Sequence, residues 1–231
     1  EVGSTLMRNY VLSEADATSF YHLVRPYVEY EYLPEEDQED LPFFTSVDRI
    51  DQQNAISYGI DNFFNLRKNS ELDREYGYFK IRQSDSFLDD DSDEPITPVN
   101  NKLGLQPIYS ADISYKTDID VYDDGFIRHN VEAIYNTSRG DRFGVEYVFD
   151  DLDSTEQINA MVKAALFAGW RADFKIEHSI SADETNEANL SLIYQALCWS
   201  VELAGEYTPA DTSFLVVFNL ANIGSPFGIS F

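Results

Sequence analysis

The sequence predicts an all-β fold: the antiparallel wall of a transmembrane β-barrel, with about 12 strands, forming part of a larger barrel. Three observations predict it. Apolar and polar residues alternate through most of the chain, which is the period of a strand with one apolar and one wet face. Aromatic residues make up 14% of the chain, and such residues form girdles at membrane interfaces. The longest apolar run, residues 164–170, is far shorter than the roughly 20 residues that a membrane-spanning helix needs.

The alternation is clearest in residues 109–121. One face carries apolar side chains, among them Ile113 and Tyr115, and the other face carries polar ones. A helix would scatter these charges around its surface, so the segment is predicted to be a strand. In a barrel its polar face would line a wet lumen, and that face includes Asp112, Lys116, Asp118 and Asp120.

The same alternation recurs along the chain and predicts the remaining strands. The clear segments are residues 20–32, 56–66, 143–149, 158–166, 172–176, 190–194, 199–203 and 214–220. The weaker segments are residues 75–82, 99–106 and 128–137. Their lengths approach the roughly ten residues with which a tilted strand crosses a bilayer.

The predicted connections are of two kinds. Short turns are predicted at residues 138–141 and 167–169, and just before Cys198. Longer acidic loops are predicted at residues 33–53, 87–97, 150–157 and 181–187. Bacterial outer-membrane barrels have short periplasmic turns and longer external loops. If the last strand ends in the periplasm, alternation of strand direction places every predicted short turn there and every acidic loop outside.

The charge of the chain excludes one class of partner. The 16 Lys and Arg against 42 Asp and Glu give a net charge of -26, which repels nucleic acid. Side chains this acidic need solvent or cations, so they are expected in loops or in a wet interior.

No pattern in the sequence supports catalysis or a resident metal. His22, His129 and His178 lie on separate predicted strands without metal-ligand spacing, and nothing pairs a nucleophile with a base. The acidic run at residues 89–94 has oxygen ligands that suit Ca²⁺ or Mg²⁺, but it lacks the glycine and the spaced ligands of a calcium loop. We therefore expect a solvated loop, no metal site, no cofactor and no enzyme activity.

The chain begins at Glu1 without an initiator Met or an apolar leader, so we expect a processed chain or a piece of a longer one. Residues 1–19 are predicted to be the end of a preceding strand or a periplasmic segment, and residues 20–231 the barrel portion. Cys198 stands alone and cannot close an internal disulfide. An odd cysteine in an exported protein suggests a partner elsewhere.

Several segments resemble one known family in their order and spacing. They are RPYVEY at residues 25–30, LPEEDQEDLPFF at 33–44, VDRIDQQNAISYGI at 47–60, the stretch 98–149, IYQALCWSVEL at 193–203, and FLVVFNLANIG at 214–224. Together they resemble the C-terminal part of the barrel of the LptD family. The family often carries two adjacent cysteines before this Trp, whereas here Leu197 precedes Cys198. Its periplasmic domain and the N-terminal half of its barrel have no counterpart in this sequence.

The resemblance implies a passive translocon in the outer membrane of a Gram-negative bacterium. Lipopolysaccharide would arrive over an LptA-like periplasmic bridge, its sugars would pass through the polar lumen, and lipid A would leave through a lateral gate. An LptE-like lipoprotein would plug the lumen. Divalent cations would arrive with the phosphates of the bound lipopolysaccharide.

The resemblance also implies roles for individual residues. Cys198 would form a disulfide with the N-terminal region of the full-length protein. The segment 214–220, taken as the final strand, would form one side of the gate through Phe214, Val216, Phe218, Asn219 and Leu220, and Asn222 and Gly224 would weaken that seam. Independently of the resemblance, Asp48, Arg49 and Asn54 are expected to order an external loop where it re-enters a strand.

Two alternatives belong to other classes of protein. A soluble, acidic β-sandwich that binds a glycan or calcium would show the same alternation, with the apolar faces packed inward. An independent porin-like barrel would close by pairing residues 20–32 with residues 214–220. An open sheet leaves unpaired backbone groups at its edges, each costing several kcal/mol in hydrocarbon, so the strands either close on themselves or complete a larger wall.

Overall fold

The structure is a computed structural model that describes residues 1–13, 18–35, 52–68, 74–88, 95–122, 125–220 and 227–230. These residues form an all-β fold of fifteen strands and contain no helix. Accordingly, the described part of the chain offers no helix of the length and apolarity that a membrane crossing requires. The strands are β1 (Val2–Gly3), β2 (Leu6–Ser13), β3 (Thr18–Leu33), β4 (Gln53–Lys68), β5 (Arg74–Ser86), β6 (Val99–Ile108), β7 (Ala111–Asp120), β8 (Gly125–Asn136), β9 (Arg142–Asp150), β10 (Thr155–Ala165), β11 (Trp170–Ser179), β12 (Glu184–Gln195), β13 (Trp199–Tyr207), β14 (Thr212–Leu220) and β15 (Phe227–Ser230).

The all-β, antiparallel prediction is confirmed, and each of the predicted strands has its counterpart among β3 to β14. The sequence did not predict β15, and for residues 1–19, which contain β1 and β2, the prediction was the end of a preceding strand or a periplasmic segment. The strand β2 shows no simple alternation, because Leu6 and Met7, like Val11 and Leu12, are adjacent apolar residues. β15 has four residues, which is too short to show a period.

The chain divides into two compact units whose boundaries fall inside strands. Unit 1 comprises Glu1–Gly104 and Lys116–Ile127, and unit 2 comprises Leu105–Tyr115 and Arg128–Phe231. In unit 1 the hydrogen-bonded strand order is β1-β3-β4-β5-β6-β7, and β2 also pairs with β3. In unit 2 the order runs from β6 to β15 in sequence, so each strand lies beside the next one in the chain.

The antiparallel register of unit 2 sorts its side chains onto two faces. Residues that lie opposite each other share a face. On one face the partners are apolar, as where Phe174 lies opposite both Val162 and Leu190. On the other face they are polar, as where Asn159 lies opposite both Glu146 and Glu177. We call these the apolar face and the polar face.

The described residues form no hydrophobic core. None of their apolar side chains is buried, and Val145, Leu190 and Phe218 on the apolar face are 52%, 47% and 50% exposed. A β-sandwich interdigitates the apolar side chains of two inner faces. The β-sandwich alternative is therefore wrong for the part of the chain that the structure describes.

The pairing that an independent porin-like barrel needs does not occur between the described strands. β3 has β1 and β2 along one edge and β4 along the other. β14 has β13 along one edge and β15 along the other. Since a strand has two edges, neither strand has an edge left for the other.

One predicted long acidic loop, at residues 150–157, is wrong. A four-residue turn, residues 151–154, connects β9 to β10. The Asp150 carboxylate accepts a 3.0 Å hydrogen bond from the backbone N–H of Leu152, and Ser154 adopts a φ of 51°. An Asp side chain that bonds the backbone two residues on favours a tight turn, which composition alone does not distinguish from a loop.

The predicted loop at residues 181–187 is wrong for a similar reason. Residues 180–183 form a four-residue turn that joins β11 to β12, with a φ of 52° at Asp183. Long connections do occur in unit 1, where residues 34–52 join β3 to β4 and residues 87–98 join β5 to β6. The predicted asymmetry of connection length is therefore confined to unit 1.

Candidate functional site

The apolar face of unit 2 carries aromatic side chains near the strand ends. Trp170, Tyr194 and Trp199 come from β11, β12 and β13 and lie at the same end of these strands, where the turn 166–169 leads into β11 and the turn 196–198 joins β12 to β13. The Tyr194 ring centroid is 5.3 Å from that of Trp170 and 5.2 Å from that of Trp199. Such a row suits the boundary between water and hydrocarbon, because each ring joins an apolar body to a polar tip.

The polar face of unit 2 forms a groove of about 530 Å³ whose lining contains four carboxylates and two lysines. Amide side chains hold Glu146 in place, since Asn130 donates to one carboxylate oxygen at 2.6 Å and Asn159 to the other at 3.0 Å. Lys175 pairs with Glu177 at 2.5 Å. These hydrogen-bonded side chains make part of the groove hydrophilic, and Val145, Met161 and Phe174 also line it.

In unit 1, Asp61 lies opposite Lys80 in the register of β4 and β5, and we call the face that carries them the polar face of unit 1. It forms a second groove, of about 450 Å³, with the opposite balance of charge. Lys80, Arg82 and Lys102 line it, and Asp61 is the one carboxylate among its described lining residues. The cations come from β5 and β6, so the register of these strands, and not the order of the residues in the sequence, brings them together. We call this surface the cationic groove.

Tyr27, which also lines the cationic groove, lies opposite Gly59 in the register of β3 and β4. A Cβ atom added to Gly59 would lie 2.7 Å from the Tyr27 hydroxyl oxygen and 2.5 Å from the Ile81 carbonyl oxygen. Glycine is required here because the tyrosine ring and a neighbouring backbone occupy the space of a side chain. The aromatic ring covers the glycine and fills the polar face at this point.

The four predicted lumen residues lie on β7. Asp112 belongs to unit 2, and its carboxylate accepts a 2.8 Å hydrogen bond from the Gln106 amide. Lys116, Asp118 and Asp120 belong to unit 1, where Asn100 donates to Asp118 at 2.8 Å. Their exposure to a lumen stays a prediction.

The predicted gate segment is β14, but it is not the final strand. Residues Leu215–Phe218 of β14 pair with β15, which the sequence did not predict. Phe214, Phe218 and Leu220 are 62%, 50% and 56% exposed, and Val216 lies opposite Leu203 on the apolar face.

Asn219 takes the other face of β14, where its amide lies 3.4 Å from the Ser200 hydroxyl. A role of these residues in a gate stays a prediction. Asn222 and Gly224 fall outside the described residues.

Cys198 lies in the turn between β12 and β13, directly before Trp199. The turn exposes it, and it is a free thiol in the described chain. Its neighbour Leu197 is fully exposed. A disulfide with a distant cysteine stays a prediction.

Of the predicted loop-ordering residues, Asp48 and Arg49 fall outside the described residues. Asn54, at the start of β4, accepts a 3.0 Å hydrogen bond from the Tyr30 hydroxyl, and its backbone carbonyl accepts one from the Phe87 N–H at 2.7 Å. Asn54 thereby ties the ends of β3, β4 and β5 together.

The three histidines make separate contacts within the sheet. His22 lies 3.1 Å from the Asn62 carboxamide oxygen, and His129 lies 2.8 Å from the Tyr115 hydroxyl. His178 lies 3.3 Å from the Thr185 hydroxyl. Within the described ranges no three potential ligands come close enough to hold a metal ion, and the acidic run at residues 89–94 falls outside those ranges.

Asp141 is a residue whose importance the sequence did not reveal. It ends the turn between β8 and β9, where Gly140 adopts a φ of 93°, and it is 4% exposed. Its carboxylate accepts hydrogen bonds from Arg139 Nε and from the backbone N–H of Ala165, both at 2.8 Å, and from the Thr137 hydroxyl at 3.2 Å. The Arg139 and Ala165 donors hold the pKa of Asp141 below its ordinary value.

Comparison with known proteins points to one family. Residues 1–196 match the family model described as "LptD: LPS transport system D". The chain is similar to the "LPS-assembly protein LptD" of Thiobacillus denitrificans, with 24% identity over 79% of this chain and 28% of the relative. It is also similar to the "LPS-assembly protein LptD" of Idiomarina loihiensis, with 20% identity over 83% of this chain and 29% of the relative. The chain spans less than a third of the length of these curated relatives.

Proposed function

Because this chain belongs to the LptD family, we propose that it forms part of the barrel wall through which a longer protein assembles lipopolysaccharide in the outer membrane. The family is one of β-barrels, and its curated members are named for the assembly of lipopolysaccharide and not for catalysis. The all-β antiparallel structure agrees with this assignment.

The observation that carries the proposal is the contrast between the two faces of unit 2. The apolar face leaves Val145, Leu190 and Phe218 about half exposed. In water such area costs about 25 cal/mol per Å², whereas in a bilayer the same area contacts lipid. The strands β8 to β14 have nine to twelve residues, close to the roughly 9–11 that a tilted strand needs to cross a bilayer.

The polar faces are the proposed path of the sugars. Their carboxylates, amides and lysines present hydrogen-bond donors and acceptors to the hydroxyl groups of an oligosaccharide. Asp112, Lys116, Asp118 and Asp120 would contribute to this surface. We propose that an LptE-like lipoprotein fills the lumen and that an LptA-like bridge delivers the lipopolysaccharide to the full-length protein. Divalent cations would accompany the lipopolysaccharide.

The lipid would leave sideways, at the end of the sheet that β14 and β15 form. β14 pairs with β15 at Leu215–Phe218, and Phe214, Phe218 and Leu220 are each at least half exposed. The lateral exit would lie beside β14, with Phe214, Val216, Phe218, Asn219 and Leu220 on the strand that borders it.

Depletion of the full-length protein tests the function. We expect newly made lipopolysaccharide to disappear from the outer leaflet, measured with an antibody on intact cells, and to accumulate at the inner membrane. Re-expression of the wild-type protein should restore it. Unchanged surface lipopolysaccharide after complete depletion would contradict the proposal.

A further inference from the structure

The cationic groove of unit 1 is unusual for this chain. Acidic residues outnumber basic ones, 42 to 16, yet Lys80, Arg82 and Lys102 line the groove with Asp61 as its one described lining carboxylate. The Glu29 carboxylate lies beside the groove, 3.5 Å from Arg82. The groove of unit 2 has the opposite composition, with more carboxylates than lysines. A local reversal of charge within a strongly acidic chain creates a favourable position for an anion.

The contacts around Lys80 hold its ammonium in position without neutralising it. Asp61 lies opposite Lys80 in the register of β4 and β5. The Lys80 ammonium nevertheless lies over two aromatic rings, 4.9 Å from the Phe63 centroid and 5.2 Å from the Tyr78 centroid. Cation–π contacts attract the ammonium but leave its positive charge available to an anion.

Arg82 and Lys102 complete the groove from neighbouring strands. Arg82 donates to the Ser57 hydroxyl at 3.1 Å and lies 3.5 Å from the Glu29 carboxylate, so its charge is partly balanced. Lys102 has no hydrogen bond or ion pair to any residue in the described part of the chain, so its ammonium is available to a ligand.

A further cation lies beside the groove. Asn100 on β6 donates to Asp118 on β7 at 2.8 Å. Lys102 follows Asn100 by two residues on β6, and Lys116 precedes Asp118 by two residues on β7. Because the two strands are antiparallel, these lysines lie near each other on the polar face. Like charges on adjacent strands repel, and a bound anion would relieve that repulsion.

We propose that the cationic groove binds phosphate groups. A phosphate monoester carries up to two negative charges and presents several acceptor oxygens, which suits two ammonium groups and a guanidinium. The groove volume of about 450 Å³ accommodates a phosphorylated sugar, and Asn100 and Tyr27 line it with groups that can bond sugar hydroxyls. The source of the phosphate is the polar part of the translocated lipopolysaccharide, an assignment that rests on the proposed function.

A titration tests the groove independently of transport. Glucose 6-phosphate and glucose are titrated into the full-length protein in nonionic detergent, for the wild type and for the variants Lys80→Gln and Lys102→Gln. We expect glucose 6-phosphate to bind and each variant to weaken it about tenfold, as for loss of one charged hydrogen bond. Added salt should weaken the binding. The control is Arg8→Gln. Arg8 lies opposite His22 in the register of β2 and β3, and both lie on the face of unit 1 away from the groove. This variant should therefore leave the affinity for glucose 6-phosphate unchanged.

Equal binding of glucose and its phosphate, or equal affinity in the two lysine variants and the control, would overturn the groove as a phosphate site. Unchanged heat-modifiable gel mobility verifies that each variant is folded.

A photo-crosslinking amino acid identifies the source of the phosphate. It is placed at Ser84, which lines the cationic groove, and separately at Met161, which lines the groove of unit 2. We expect Ser84 to crosslink to lipopolysaccharide in growing cells and Lys102→Gln to reduce the yield.

The two positions separate two kinds of failure. Crosslinking at Met161 but not at Ser84, together with binding of glucose 6-phosphate, would overturn lipopolysaccharide as the source while leaving the proposed function standing. Crosslinking at neither position would contradict the proposed function, and the titration would still decide whether the groove binds phosphate.

Discussion

The backbone N–H of Ala165 donates a 2.8 Å hydrogen bond to the carboxylate of Asp141, which lies 24 positions earlier in the chain. The bond joins the turn before β9 to the last residue of β10. The same carboxylate accepts from Arg139. One buried side chain thus closes a turn and fixes the end of a second strand.

Replacing Asp141 with Asn removes the ion pair with Arg139 and keeps the shape of the side chain. We expect the full-length protein to unfold at a lower temperature in detergent, measured by heat-modifiable gel mobility. The matched control is Asp151→Asn, an exposed aspartate in the turn between β9 and β10. Equal midpoints for the two variants would show that the Asp141 contacts do not stabilise the sheet.

The lowered pKa of Asp141 gives the sign of a pH effect. A carboxylate whose pKa is lower in the folded state contributes stability above its unfolded pKa of about 3.9 and loses it as the pH falls through the folded pKa. The stability difference between the wild type and Asp141→Asn should therefore be constant from pH 7 to about pH 5. It should shrink below about pH 4. A difference that grows on acidification would contradict this account.

Replacing Gly59 with Ala places a methyl group against the Tyr27 hydroxyl and the Ile81 carbonyl, because no space exists between them. Overpacking of this kind costs about 1–3 kcal/mol, so urea unfolding in detergent should begin at lower urea concentration. The matched control is Gly125→Ala, since a Cβ added at Gly125 meets no atom within 4 Å. If both variants unfold at the same urea concentration, the packing of Tyr27 does not require a glycine at position 59.

The exposed thiol of Cys198 is predicted to form a disulfide with a cysteine elsewhere in the full-length protein. The protein should then migrate differently on reducing and non-reducing gels, and Cys198→Ser should abolish the difference. Identical mobility with quantitative alkylation of Cys198 in the untreated protein would remove the disulfide from the account.

The strands could be predicted from sequence because their signal is local. Alternation along residues such as Phe143, Val145 and Tyr147 depends on the strand period and needs no knowledge of neighbouring strands. The turns were harder to predict, because acidic composition indicates a connection near residues 151–154 but does not give the length of that connection. Whether Asp150 closes a short turn depends on backbone contacts.

The grooves could not be predicted because they depend on register. Lys80 and Lys102 lie far apart in the sequence, and their convergence follows from how β5 and β6 align. Tyr27 and Gly59 are likewise brought together by the pairing of β3 with β4. The resemblance to the family predicted a barrel wall, but it did not predict the cationic groove or the contact between Tyr27 and Gly59.

The most direct test of the account asks which face of unit 2 contacts lipid. Val145 lies on the apolar face, where it is 52% exposed, and the next residue, Glu146, lies on the polar face and bonds Asn159. In a Cys198→Ser background, the variants Val145→Cys and Glu146→Cys are treated in intact outer membranes with a charged, membrane-impermeant maleimide. We expect labelling at position 146 and protection at position 145. Labelling at position 145 as fast as at position 146 would contradict it.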